Sequence, residues 1–263
     1  MTRLAANLMF LFTEVDFLER FRAAAGAGFR GVEYQFPYAH ASREVAARLA
    51  DNGLEMVLQN LPPGDWEAGE RGIACIPERE REFRDGVERA VDYALAVGCR
   101  RLNCLAGILP AGIAEDRAHA TLLDNLAFAA ARLARDDLTL LVEAINTRDM
   151  PGFYLSRSAD VIGIIDEIGA PNLRLQYDVY HMQVMEGDIV RTLRERIDYI
   201  GHVQIADNPG RHEPGTGELN VPFILDALDA AGYRGWVSCE YQPAAGTVAG
   251  LGWARRYLEP AGG

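Results

Sequence analysis

Leu138-Thr139-Leu140-Leu141-Val142-Glu143 reads as a nearly continuous apolar strand that ends on a carboxylate. It stands between two helical stretches: Glu115–Arg135 before it, and Ser158–Ile168 after it, the latter closed by Gly169. The alternation continues in both directions. Toward the N-terminus, strands are predicted at Ala5–Phe12, Gly31–Gln35, Leu54–Asn60 and Arg101–Leu105. Helices fall between them at Val15–Ala27, from Ser42 to Asn52-Gly53, and at Glu78–Val97, where Gly98 ends the helix. Toward the C-terminus, strands at Leu173–Asp178, Tyr199–Ala206 and Trp236–Glu240 alternate with helices at Ile189–Arg196, Val221–Ala231 and Val248–Tyr257. Eight strands with intervening helices imply a parallel sheet, and eight such units close into a (β/α)8 TIM barrel. The 263 residues suit one barrel domain spanning 1–263. A doubly wound open sheet is the alternative, but no G-x-G-x-x-G follows the first strand.

In barrels of this kind the chemistry gathers where the strands end. The last polar residues there are Glu33, Asn60, Asn103, Glu143, Asp178, Gln204 and Glu240. A carboxylate closing so apolar a strand is costly unless it binds something. On four consecutive strands Glu143, Asp178, Gln204 and Glu240 supply three carboxylates and one amide oxygen. That all-oxygen set suits one divalent ion, Mg²⁺ or Mn²⁺, better than a thiolate-seeking zinc. A buried charge network is the competing reading. His202 shares a strand face with Gln204 and is expected to be a hydrogen-bonded core histidine one layer deeper.

Composition excludes several classes. The formal charge of −12 opposes phosphate backbones and anionic lipid, and no basic cluster offsets it. Neither a nucleic-acid partner nor a membrane partner is expected, and no apolar run reaches the length of a membrane span. All 26 basic residues are Arg. Without Lys there is no Schiff-base aldolase, no pyridoxal enzyme and no Walker loop. Cys75, Cys99, Cys104 and Cys239 form no C-x-x-C, which fits free thiols in a reducing cytoplasm. The sequence leaves homo-oligomer formation open.

Long segments also resemble the hydroxypyruvate-isomerase branch of the xylose-isomerase-like TIM barrels. The resemblance runs from Ala6-Asn7-Leu8 almost to the C-terminus. It is densest in Gly31-Val32-Glu33, in Asn60 through Trp66 (NLPPGDW), and in Ala68 through Ala74 (AGERGIA). It continues in Gln176 through Gln183 (QYDVYHMQ), Gly201 through Pro209 (GHVQIADNP) and Glu213 through Glu218 (EPGTGE). It implies that Glu143, Asp178, Gln204 and Glu240 are metal ligands, with Glu143 and Glu240 also moving protons. Two departures stand out. Ala144 follows the fifth-strand glutamate where the family usually has Pro, and His202-Val203-Gln204 replaces the His-x-His of the wider superfamily.

The implied reaction interconverts hydroxypyruvate and tartronate semialdehyde through an enediolate, with the metal as Lewis acid and the glutamates as acid and base. Lacking Lys, the chain suits proton transfer better than a hydride shift. A small hydroxy-carbonyl acid needs a carboxylate anchor, and the bidentate fork of Arg is suited to it. Arg71, after the third strand, and Arg211, after the seventh, are the candidates; for each, a surface arginine is the alternative. His181 is expected to donate to a substrate oxygen, with a helix-start histidine as the other reading. Rival readings are a 2-oxo-tetronate isomerase, which acts on a four-carbon acid, and a barrel that binds a sugar acid without turning it over.

Overall fold

In the computed structural model residues 2–258 are described. Eight parallel strands pair in sequence order, and the last closes on the first, forming the expected barrel. The first half comprises β1 (Arg3–Asn7), α1 (Phe17–Gly26), β2 (Gly31–Glu33), α2 (Ser42–Asn52), β3 (Glu55–Asn60), α3 (Glu80–Val97) and β4 (Arg101–Cys104). The second comprises α4 (Glu115–Ala134), β5 (Thr139–Glu143), α5 (Ser158–Ile168), β6 (Leu173–Asp178), α6 (Val179–Met185), α7 (Ile189–Glu195), β7 (Ile200–Ile205), α8 (Val221–Ala230), β8 (Trp236–Cys239) and α9 (Thr247–Gly250).

The helices form a ring because each presents one apolar stripe to the sheet. In α3 the buried residues Phe83, Val87, Ala90, Val91, Ala94 and Val97 recur at helical spacing, and Gly98 ends the helix in a left-handed conformation (φ 73°). The strands are buried almost throughout, as a sheet covered on both faces requires.

Three expectations are corrected. The first strand stops at Asn7, and residues 8–12 turn back over the mouth. Asn7 causes the stop: its side-chain carbonyl accepts the Met9 N–H (2.9 Å), and its backbone carbonyl accepts from Leu11 (2.8 Å). Helix α6 falls outside the expected helix ranges, though the helix-start reading of His181 anticipates it; it begins directly after β6 because the Asp178 carboxylate accepts the N–H groups of Tyr180 (2.7 Å) and His181 (3.4 Å). The expected closing helix Val248–Tyr257 is only α9 followed by a 3₁₀ turn at Leu251–Ala254.

Strand register sets the site. Glu143 lies level with Gln176, and Asp178 with Gln204. On the other side Asn7 lies level with Glu33. Asp178 lies two residues beyond the level of Glu143, and Glu240 two residues beyond Ser238, which pairs with Gln204.

Candidate active site

Of the strand-end set, Asn60, Glu143, Gln204 and Glu240 line one cavity, whereas Asp178, Glu33 and Asn103 are buried and are not among its lining residues. Glu143, Gln176, Gln204 and Glu240 line it together with His181 and Arg211. The opposite wall is formed by Met9, Phe10, Phe36, Trp66 and Leu105, with Gln35 and Asn60 adding amides. Phe36 and Trp66 pack against each other with ring centroids 4.9 Å apart.

Each carboxylate accepts from neutral donors, and Glu240 and Asp178 also face a guanidinium. Glu143 Oε2 accepts from Asn103 Nδ2 (3.0 Å) and Gln176 Nε2 (2.9 Å). Glu240 Oε2 accepts from Asn7 Nδ2 (2.9 Å) and from the Gln204 amide, while its Oε1 accepts from the Arg211 guanidinium at 2.6 Å. Asp178 uses Oδ1 to cap α6 and turns Oδ2 toward Arg211 (3.4 Å). Gln204 bridges the site: Oε1 accepts from Gln176 (2.8 Å), and Nε2 donates to Glu33 Oε1 (2.8 Å) and to Glu240.

Beneath this ring lies a second buried polar layer. Glu33 pairs with His202 Nε2 (2.8 Å), which also meets Ser238 Oγ (3.1 Å), and accepts from Asn7 at 2.7 Å. Burial works against the Glu33 charge, but the His202 hydrogen bond and positive field, with the Ser238 and Gln204 bonds, hold its pKa below the usual value. His202 is thus the core histidine that the seventh-strand phase predicts.

Burial has the opposite outcome at the cavity surface. It pushes Glu143 up to about 8, with Asp178 adding repulsion and Arg211 opposing it. Glu240 is also raised well above the ordinary carboxylate value, first by burial. Three carboxylates with one guanidinium between them carry more negative charge than the site neutralises, a deficit that a divalent cation fits. Glu143, Asp178 and His181 can hold a metal ion, each offering one ligand atom within 4.8 Å of the others. His181 is buried, and desolvation lowers its pKa to about 4, with Asp178 opposing.

The loop after β7 delivers Arg211 to this place. Asp207 is fully buried and accepts the backbone N–H groups of Asn208 (2.9 Å), Gly215 (2.7 Å), Gly217 (2.9 Å) and Leu219 (3.0 Å). The glycines at 215 and 217 thus wrap an internal carboxylate. Arg211 itself adopts a positive φ (54°), and its guanidinium lies over the rings of Phe10 (5.0 Å) and Tyr180 (5.2 Å).

Arg71 is placed differently. It stacks on Trp66 (4.0 Å) and donates to the carbonyls of Trp66 (3.0 Å) and Glu70 (2.7 Å), bracing its own loop, and is not among the residues lining the cavity.

Sequence reasoning passed over Asn7, Gln176 and Asn146. Gln176 was within reach, since it lies two residues before Asp178 on the same strand face. Asn7 showed only as an interruption of an apolar run. Asn146 lies beyond β5 in a loop whose path has no periodic signal.

A closed parallel barrel with buried carboxylates and a guanidinium gathered at its C-terminal mouth defines the class: a TIM barrel with a metal-competent cavity. The chain belongs to the xylose isomerase-like TIM barrel family, whose model matches residues 21–257. It is 52% identical over 257 residues to the hydroxypyruvate isomerase of Escherichia coli K12, covering 98% of this chain and 100% of that one. It is also 52% identical over 258 residues to a 2-oxo-tetronate isomerase of Cupriavidus necator, covering 98% and 99%. Among solved structures, a protein of Brucella melitensis described as an AP endonuclease, family 2, superposes with a TM-score of 0.97 at 47% identity, covering 98% and 100%.

Proposed function

We propose that this chain, acting as one barrel domain, is an isomerase that interconverts hydroxypyruvate and tartronate semialdehyde. The observation that carries this reading is the pair Glu143 and Glu240. Both are buried and both line one small cavity; burial pushes Glu143 up to about 8, where a carboxylate can hold and release a proton near neutrality, and raises Glu240 well above the ordinary carboxylate value. Full-length similarity to hydroxypyruvate isomerase supports the choice of substrate.

The reaction moves one proton from C3 to C2 and one between the two oxygens. One glutamate removes the C3 proton to leave an enediolate, and the other returns a proton to C2. Arg211 anchors the substrate carboxylate, and His181 meets the oxygen on which charge grows. Glu143, Asp178, Gln204 and Glu240 are the proposed ligands of one Mg²⁺ or Mn²⁺, which would polarise the substrate oxygens as a Lewis acid when bound. For Gln204 this requires its amide oxygen, now facing Gln176, to turn toward the cavity. Arg71 acts through Trp66 by holding that cavity wall.

A four-carbon substrate, 2-oxo-tetronate, is the second reading, favoured by equal identity to a 2-oxo-tetronate isomerase. A nucleic-acid substrate is disfavoured, because Arg211 is the one basic side chain lining the cavity among the described residues and the chain carries −12.

The test is incubation in D₂O with hydroxypyruvate and Mg²⁺ or Mn²⁺. Deuterium should enter the carbon skeleton as the isomer forms, and Glu143→Gln or Glu240→Gln should stop both processes. Full turnover by either variant removes that glutamate from proton transfer. Rates on 2-oxo-tetronate beside hydroxypyruvate decide between the two acids.

A further inference from the structure

We propose that Asn146 is a positioning residue that fixes the tautomer of His181, holding Nδ1 as an acceptor and Nε2–H as a donor aimed into the cavity.

Three contacts leave the Asn146 amide one orientation. Its Oδ1 accepts the backbone N–H of Asp149 (2.8 Å), a group that can only donate. Its Nδ2 lies 3.0 Å from Asp149 Oδ2, a carboxylate oxygen that also accepts from Tyr180 OH (2.9 Å). Exchanging the amide atoms would set carbonyl against carboxylate and amine against N–H. The NH₂ group therefore faces outward, and there it meets His181 Nδ1 at 2.7 Å.

An amide NH₂ cannot accept, so Nδ1 carries the lone pair and the neutral ring carries its proton on Nε2. Turning the ring over would place a carbon 2.7 Å from the amide nitrogen, inside van der Waals contact. On the cavity side Nε2 faces Asp178 Oδ2 at 3.6 Å, a carboxylate oxygen that suits a donor. Arg211 also approaches Nε2, but only at 3.5 Å, and the two N–H groups of that guanidinium nitrogen have nearer acceptors in Glu240 at 2.6 Å and Asp178 at 3.4 Å. A neutral imidazole accepts at one nitrogen, and the shorter contact decides which. Asn146 is fully buried and covers Nδ1, so no solvent competes for that ring nitrogen.

The consequence divides the labour of the site. Ligation through Nε2 would move the proton to Nδ1, against the amide. His181 is thus built to donate, and the cation is left to Glu143, Asp178, Gln204 and Glu240. That its donor serves a substrate oxygen rests on the isomerase reading; the tautomer does not.

The chain has five histidines, so ¹⁵N-histidine labelling gives a readable spectrum. Two-bond ¹H–¹⁵N correlation at neutral pH separates protonated from bare ring nitrogens, and the His181 signals are those lost in His181→Gln. The wild-type ring should show a protonated Nε2 and a bare Nδ1, both without metal and with Mg²⁺ added. In Asn146→Asp the new carboxyl shares a proton with Asp149, which stands 3.0 Å away, and accepts at Nδ1, so the pattern should invert. On the isomerase reading kcat then falls on the order of 10²-fold or more, with a smaller change in KM. A protonated Nδ1 in the wild type, in either state, overturns the proposal without needing any variant. An unchanged pattern in Asn146→Asp overturns the role of Asn146, and inversion with undiminished kcat overturns the donor role of His181. Failure of the isomerase reading is distinct: neither acid is turned over by the wild type, while the spectrum stands.

Discussion

Raising the pH from 6.5 to 8 should destabilise the metal-free protein, and the site supplies the size of the effect. Glu143 has a native pKa of about 8, against an ordinary value of 4.5. Between these values the folded protein holds a proton that the unfolded chain has lost, so stability falls as pH rises. His181 runs the other way. Its native pKa of about 4 lies below the ordinary 6.5, so up to pH 6.5 the unfolded chain binds the extra proton and stability climbs with pH. Each group contributes about 1.36 kcal/mol per pH unit where its two states differ. The opposing slopes cancel below pH 6.5, leaving a plateau. Above it the glutamate slope dominates; with Glu143 half deprotonated by pH 8 and the unfolded imidazole still half protonated at 6.5, the net loss is about 1.3 kcal/mol. Glu240, raised in the same sense, adds to the loss. For a chain of this size that is a fall in Tm of roughly 3–5 °C. Thermal melts in chelator at several pH values between 5 and 8 measure it. Saturating Mg²⁺ should flatten or reverse the fall, because the ion binds the deprotonated carboxylates. A metal-free Tm that is level or rising from pH 6.5 to 8 would refute the charge deficit assigned to the site.

Further outcomes follow from individual contacts. Gly72→Ala should cost about 2 kcal/mol or more in denaturant melts, because the residue has φ 107° and a Cβ would lie 2.3 Å from the Leu105 carbonyl oxygen; a wild-type midpoint contradicts this. Asp207→Asn replaces an acceptor of four backbone N–H groups with a side chain that sets NH₂ against some of them. It should cost about 2 kcal/mol and raise KM for the acid substrate as the Arg211 loop loosens; wild-type KM and stability together would rule that out. Arg211→Met removes the cation from Glu240 and Asp178 and should raise KM on the order of 30-fold, equivalent to about 2 kcal/mol. Steady-state kinetics check this, and an unchanged KM removes Arg211 as anchor.

The barrel was legible because its signals are repetitive. Apolar strands such as Leu138–Val142 recur between helices punctuated by glycines, and no single boundary has to be right. The acidic half of the site was legible too, since β5, β6 and the residue after β8 end on carboxylates, and an ionisable group there has few structural reasons to exist. What could not be read were side chains whose roles depend on a neighbour brought from elsewhere in the chain. Asn7 reaches Glu240 across 233 positions, and Asn146 reaches His181 across 35. Neutral amides carry no charge cost that would mark them in sequence. Arg71 and Arg211 both look like anchors on mouth loops. Only the path of each loop turns Arg71 back onto Trp66 and sends Arg211 to Glu240. The first strand was read too long because Leu8, Leu11 and Phe12 are apolar for another reason: they are buried in the turn that follows it.

The cavity has two unlike halves. Every ionisable side chain on its wall comes from β5 through β8 and the loops after them, whereas β1 through β4 and their loops contribute only apolar groups and amides. Reactivity is therefore confined to the C-terminal half of the chain, while reach is set mostly in the N-terminal half, with Ile145 and Met150 adding to it from beyond β5. Exchanging Met9, Phe36, Trp66 or Leu105 for smaller residues would lengthen the space open to a substrate without touching a proton-carrying group. A barrel so partitioned can trade a three-carbon acid for a four-carbon one by changes confined to its N-terminal half, while the machinery in its C-terminal half stays as it is.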